Sequence, residues 1–199
     1  MHKIYNSRED LLTALGSGIN NPRFLPNYNF VYDELVIEPP AARTLHEIQL
    51  FLQQSMQPQV LRPAKIPGVI VLFEGTSVSN KLLIANLLAK QSGLRLTQVD
   101  LTQMVSKVNI ETQRNLSKVF EPEKNTGSIL LFDEAEALFG KRSEVKDAHD
   151  RYANAEASYF IQHAATYGGL TIVSAKNRNN LDDAFLRRLH HIVAFPLPK

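Results

Sequence analysis

Beyond residue 67 the apolar positions come in short runs separated by segments of helical spacing. Val69 to Phe73, Ile129 to Phe132, Leu170 to Ala175 and Ile192 to Phe195 are largely apolar, β-branched or leucine-rich runs, as expected of strands covered on both faces. Leu94 to Val99 alternates and predicts a further strand. Between these runs the spacing predicts helices over Lys81 to Lys90, 101 to 107, 112 to 120, about Ala148 to Ala165, and Asp182 to Arg188. Strands interleaved with helices predict an α/β fold, a parallel sheet covered on both faces. Ligands of such sheets bind at the carboxyl ends of strands, so the polar residues that follow the strands are the ones to examine.

The amino-terminal part is patterned differently. Ser7 to Asp10 forms a capping box that opens a short helix, Ser7 to Leu15, closed by Gly16. Residues 17 to 34 are rich in Gly, Asn and Pro with scattered aromatics, which predicts a surface arm. After Pro39-Pro40, the residues Ala41, Leu45, Ile48 and Leu52 fall at helical spacing, and the polar stretch Gln53 to Gln59 ends that helix. The chain therefore divides into an N-terminal helical and loop segment, 1–57, and an α/β domain, 58–199.

Composition narrows the function classes. A chain of 199 residues, 44% hydrophobic, is long enough for one good core. Its 22 basic and 20 acidic residues leave a net charge of +2, with no basic run or aromatic platform to recruit nucleic acid or an anionic membrane. It has no cysteine, which excludes disulfides and thiolate chemistry. The start MHKIYNSRED has no signal-peptide core, and no run of ~18 apolar residues follows. A soluble, cytoplasmic protein is expected.

Three post-strand segments carry candidate chemistry. Gly75, Thr76, Ser77, Val78, Ser79, Asn80, Lys81 and Leu82 lie between a strand and a helix on the frame G-x-x-x-x-G-K-[ST] of a phosphate loop. Such a loop aims backbone N–H groups and a lysine at anionic oxygens, while its hydroxyl ligates magnesium. Leu82 cannot ligate a metal. Asn80 stands where a glycine is usual but tolerates left-handed φ, so the loop is expected to keep its shape at modest strain. Val78 adds a stiff Cβ near the phosphate path. Judged alone, this stretch is better explained as an ordinary strand-turn-helix with a solvated lysine.

The second segment is SILLFDEAEALFGKR, residues 128 to 142. Asp133 and Glu134 end a buried strand, where an aspartate can hold magnesium through water and a glutamate can orient an attacking water. Capping of a helix starting near Ala135 is the simpler alternative. The pairing with the upstream lysine loop favours the chemical reading. In the third segment, LTIVSAKNRNNLDDAFLRRLHHIVAFPLP, Asn177 sits just past a strand end, where its amide can touch a phosphate or a lytic water. Arg187 and Arg188 close a short helix, a position that also suits the negative end of its dipole. His190 and His191 are adjacent on a strand, so they face opposite ways and cannot chelate one metal.

Taken in order, these segments resemble the large α/β domain of AAA+ ATPases over about residues 33 to 198. FDEAEALFGKR is similar to the Walker B motif of that family, AKNRNNLDDAFLRRL to its sensor 1 and arginine-finger region, and SKVNIETQRNLSKVF, residues 106 to 120, to its pore loop and following helix. GKRSEVKDAHDRYANAEASYFIQ, residues 140 to 162, resembles ATPases associated with bacterial contractile injection systems. The resemblance implies a three-layer P-loop NTPase fold that binds ATP and Mg2+. It matches Lys81 to the Walker A lysine, Asp133 to the magnesium ligand, Glu134 to the catalytic glutamate, Asn177 to sensor 1 and Arg188 to the first arginine finger. Arg187 is a weaker candidate for that finger, and His191 falls where many relatives carry a second arginine.

The departures matter as much. Val78 and Asn80 replace Walker A glycines, Leu82 replaces the magnesium-binding hydroxyl, Val108 replaces the pore-loop aromatic and Ile110 its glycine. The helical lid of the family is expected to begin after Phe195 to Pro198, yet the sequence stops at Lys199, so the lid is absent or cut away. The resemblance therefore implies an ATP-binding domain with weak or lost hydrolysis. Its setting is ATP-dependent protein remodelling or assembly, in a homo-oligomeric or hetero-oligomeric ring with a protein partner. The alternative is a pseudo-ATPase assembly module that binds no nucleotide.

Overall fold

The computed structural model describes residues 31–32, 35–37, 39–55, 67–106, 108–121, 128–141 and 148–195. The helix expected over Ser7 to Leu15 and most of the arm over 17–34 lie outside the described residues. A short antiparallel hairpin, β1 (Val31–Tyr32) and β2 (Leu35–Val36), falls at the end of that arm. It precedes α1 (Pro39–Ser55), whose Ala41, Leu45, Ile48 and Leu52 are buried at the expected spacing.

Five strands follow: β3 (Val69–Glu74), β4 (Arg95–Asp100), β5 (Ser128–Asp133), β6 (Leu170–Ala175) and β7 (His191–Ala194). They pair in parallel as one sheet, in the order β4-β5-β6-β3-β7. The helices are α2 (Val78–Gln91), α3 (Leu101–Met104), α4 (Asn109–Phe120), α5 (Glu136–Phe139), α6 (Ala148–Tyr167) and α7 (Asp183–Leu186). A 3-10 turn spans Arg178–Asn180.

The two-residue period of the strands divides the interior into two cores, one on each face of the sheet. Val71, Phe73, Ile129, Leu131, Leu170 and Ile172 pack with Leu45, Ile48, Ile84 and Leu88 of α1 and α2. Their neighbours Ile70, Leu72, Leu130, Phe132 and Val173 pack with Leu116, Phe120, Phe139 and Phe160 of α4, α5 and α6. The Phe160 ring anchors this second core, with centroids 4.8 Å from Phe132, 5.0 Å from Phe139 and 5.3 Å from Phe120. The three-layer α/β architecture is thus the expected one. Among the described residues, no helix is long and apolar enough to cross a membrane.

Several helix boundaries differ from the sequence pattern; α4 begins at Asn109 rather than 112. The second helix, α2, begins at Val78 rather than Lys81, because Ser77 caps it: the Ser77 hydroxyl accepts from Asn80 N at 3.3 Å, and Ser77 O accepts from Lys81 N at 3.3 Å. The helix expected over 101–107 closes after one turn, with extended backbone at Val105. The last short helix, α7, ends at Leu186 rather than Arg188.

From the centre of the sheet, β3 leads through α2 to the far edge strand β4, whereas β6 leads to β7 on the opposite edge. Connections that part in this way open a crevice at the carboxyl ends of β3 and β6, and the three post-strand segments gather there.

Candidate functional site

The chain leaves β3 at Gly75 with φ of 147°, and a Cβ at this position would lie 2.5 Å from the Phe195 carbonyl oxygen. Glycine is required here by backbone conformation and by close approach alike. The Gly75 N–H donates to Ala175 O at 3.1 Å, tying the loop to the end of β6. Thr76 is exposed, and the chain becomes helical after Ser77. Asn80 lies inside that first turn, so it does not take the left-handed backbone expected of it; Glu134, with φ of 54°, is the non-glycine residue at positive φ among those described. With the amides of Asn80 and Lys81 already bonded to Ser77, Val78 and Ser79 are left as the outward donors of this terminus. The Leu82 side chain packs against the core between the sheet and α1 and α2.

Lys81 is 3% exposed. Its Nζ donates to Ala175 O at 3.1 Å, so one carbonyl at the end of β6 receives both the loop amide and the lysine. Burial holds the Lys81 ammonium below its ordinary pKa of 10.5, opposed by the nearby carboxylates of Asp133, Glu136 and Glu134. Burial alone disfavours the charged form of a lysine, and these carboxylates offset part of that cost.

Those carboxylates hang from the end of β5. The Asp133 Oδ1 atom accepts from Glu134 N at 3.0 Å. The Glu134 carboxylate meets Lys176 Nζ at 3.2 Å, and Glu136 Oε1 accepts from Lys176 N at 2.8 Å. The first turn of α5 has Ala135 as its N-cap with no side-chain cap bond. Helix capping therefore does not account for Asp133 and Glu134. The positive φ of Glu134 is a conformation that costs free energy for a residue with a Cβ and is found often at functional sites.

The segment after β6 closes the site from the other side. The Asn177 Oδ1 atom accepts from Asn179 N at 2.9 Å and caps the 3-10 turn. Arg178 N donates to Glu74 Oε1 at 3.1 Å, and its Nε lies 3.7 Å from Glu74 Oε2. This segment is also joined to the one after β5: Asp182 N donates to Phe139 O at 2.8 Å, and Phe139 stacks on Phe185 at 3.8 Å. A cavity of about 680 Å³ opens beside Gly75, with Ala41 and Phe195 on its apolar side and Thr76, Lys176 and Asn177 on its polar side. That volume suits a ligand of nucleotide size.

Lys81, Asp133 and Glu134 are thus brought together, Gly75 and Thr76 line the cavity with Asn177, and Ser77 to Leu82 form or precede the start of α2. Arg187 and Arg188 are exposed beyond α7 and form no ion pair among the described residues. The two histidines are separated as their adjacency requires: His190 Nδ1 accepts from Ile70 N at 3.1 Å, while His191 Nδ1 lies 3.5 Å from Glu47 Oε2.

Sequence reasoning missed Lys176, Glu136 and Glu74. Lys176 had a signal, since it is the first residue after β6. Glu74 had the same signal, directly after the expected strand Val69 to Phe73, but the pairings had none, because the partners of Glu136 and Glu74 lie 40 and 104 residues away along the chain.

Residues 71–197 match the family described as the ATPase family associated with various cellular activities (AAA). Among curated proteins, the Cell division cycle protein 48 homolog of Archaeoglobus fulgidus is 29% identical over 119 residues, 59% of this chain. That match spans 16% of the relative's length. With most of the chain under the family match and a sheet that gathers the lysine and the carboxylates at the carboxyl ends of its central strands, this chain belongs to the AAA ATPase family.

Proposed function

We propose that the chain is an ATP-binding domain whose hydrolysis is weak or lost, and that it serves ATP-dependent protein remodelling or assembly as part of an oligomeric ring. The observation that carries this reading is the burial of the Lys81 ammonium near Asp133, Glu134 and Glu136, a cluster that the Glu134–Lys176 pair joins to the lining of a cavity of about 680 Å³. A buried lysine among carboxylates at the end of a parallel sheet is costly to maintain for stability alone, and AAA proteins use such a group to grip phosphate.

The residues present fit ATP better than they fit magnesium. The cavity has an apolar wall for a base and polar groups from Thr76 and Asn177. Asp133, the expected metal donor, stands at the end of β5, but Leu82, in place of the second donor, is partly buried and packs against the core. Magnesium, when bound, would supply charge neutralisation at the phosphates. In this assignment Asp133 would hold the metal, Glu134 would orient a water, Asn177 would contact phosphate or that water, and Arg188 would reach a neighbouring subunit. The degenerate phosphate loop, Val78 to Leu82, limits turnover. The assignment to ATPases of contractile injection systems, a cytoplasmic setting and the domain limits 1–57 and 58–199 belong to the same proposal.

A second reading, an assembly module that binds no nucleotide, is favoured by two observations: α2 starts at Val78, and Lys81 is engaged by Ala175 O. Calorimetric titration with ATP, with and without magnesium, separates the two. The ATP reading expects binding that Lys81→Ala abolishes and that magnesium improves little. Affinity unchanged by Lys81→Ala overturns it, and silence in the wild-type chain favours the assembly module. Restoring Leu82→Thr together with Val78→Gly and Asn80→Gly is expected to raise phosphate release by the assembled ring.

A further inference from the structure

The cations that line the cavity are Lys176 and Arg178, and Lys81 does not line it. Lys81 is sealed at 3% exposure with its ammonium on Ala175 O, whereas the Lys176 side chain is 58% exposed. The backbone of Lys176 is fixed: its N–H is held by Glu136 Oε1 at 2.8 Å, immediately after the fully buried strand β6. Its ammonium, by contrast, has one carboxylate partner among the described residues, Glu134 Oε2 at 3.2 Å, and solvent-exposed pairs of this kind are weak. Lys176 is also close enough to Lys81 to oppose its charge. The side chain therefore stands between the carboxylates and the open cavity, on a rigid base, with a weakly held positive head.

We propose that Lys176 is a phosphate-binding residue of this site, exchanging its ion pair with Glu134 for the oxygens of a polyphosphate ligand. The inference rests on the reading of the cavity as a nucleotide site and goes beyond it, because it assigns phosphate recognition to a second lysine after β6. A phosphate group carries more charge and more acceptor oxygens than one carboxylate, so the exchange is favourable. It also leaves Glu134 without its cation when ligand is bound. An ammonium in this position lowers the need for a metal to neutralise the ligand, which fits a site where Leu82 offers no hydroxyl.

The test uses the whole chain and two probes without magnesium, ATP and inorganic tripolyphosphate. Each is titrated calorimetrically into wild type, Lys176→Met, Lys176→Arg and Lys81→Ala, with thermal midpoints measured alongside. Lys176→Met is expected to weaken both probes about tenfold, in line with loss of a charge-assisted hydrogen bond. Lys176→Arg is expected to recover most of that loss, and neither variant is expected to shift the midpoint. Weakening of ATP without weakening of tripolyphosphate overturns the phosphate assignment. Wild-type affinity in Lys176→Met, with loss in Lys81→Ala, overturns this inference and leaves the nucleotide site standing. Silence of the wild-type chain toward both probes overturns the nucleotide reading and this inference with it.

Discussion

At the scale of single residues, Lys81 and Gly75 carry the most specific consequences. Burial lowers the Lys81 pKa from 10.5, so the folded chain binds fewer protons than the unfolded chain just below that pH. Stability contributed through this group therefore rises as pH climbs toward 10.5, and the penalty of charging it is present at neutral pH. Chemical denaturation of wild type and Lys81→Met from pH 7 to 10.5 is expected to show a midpoint difference that shifts in favour of wild type as pH rises. A difference that stays flat across that range would refute the burial account. Gly75→Ala forces a Cβ toward the Phe195 carbonyl and an unfavourable φ. The φ strain alone is on the order of 1–3 kcal/mol, and a fall in the urea midpoint at constant slope is the expected readout, with or without nucleotide.

At the scale of elements, the first turn of α2 decides how many amides the loop offers a ligand. Val78, Ser79 and Asn80 are middling helix formers, and the spacing of the phosphate-loop frame suggests a helix starting at Lys81. The Ser77 cap nevertheless draws all three into the helix. Val78→Gly with Asn80→Gly is expected to cost about 0.5–1 kcal/mol per glycine and to speed amide exchange at Asn80 and Lys81. The same pair of changes, by loosening that turn, is expected to tighten nucleotide binding. On the other face of the sheet, Phe160 of α6 is fully buried against three rings. Truncation by Phe160→Ala is expected to destabilise the domain by about 3–5 kcal/mol, read by thermal unfolding.

The order of elements was largely legible because apolar runs and helical spacing report burial directly. Val69 to Phe73 and Leu170 to Ala175 could be read as strands from their letters alone. The lysine and the carboxylates were legible because each follows such a strand. Their pairings were not: the Glu134 partner is Lys176, 42 residues further along, and nothing local to either residue encodes that distance. The start of α2 differs for the opposite reason: the phosphate-loop frame points to Lys81, but one serine, Ser77, is able to cap the helix three residues earlier.

At the scale of the whole molecule, the cavity opens between α1, the loop after β3, the loop after β6 and the end of β7. The exposed Arg188 beyond α7 makes no ion pair within the described chain. Arg188→Ala is expected to leave the thermal midpoint and nucleotide affinity of the isolated chain unchanged, since neither its packing nor the cavity depends on that side chain. Slower phosphate release by the proposed ring alone is the expected result; weaker binding by the isolated chain would place the arginine in its own site instead.

Lys81, the carboxylates and Asn177 follow β3, β5 and β6, the three interior strands, while β4 and β7 form the edges. Edges of a sheet open before its centre, and every residue of β6 is buried. The order of opening therefore favours the site: a chain whose margins have come apart still holds the Ala175 carbonyl and the carboxylates of β5 in register. Hydrogen exchange under native conditions is expected to show β4 and β7 opening in sub-global steps, with β6 exchanging only when the whole domain unfolds.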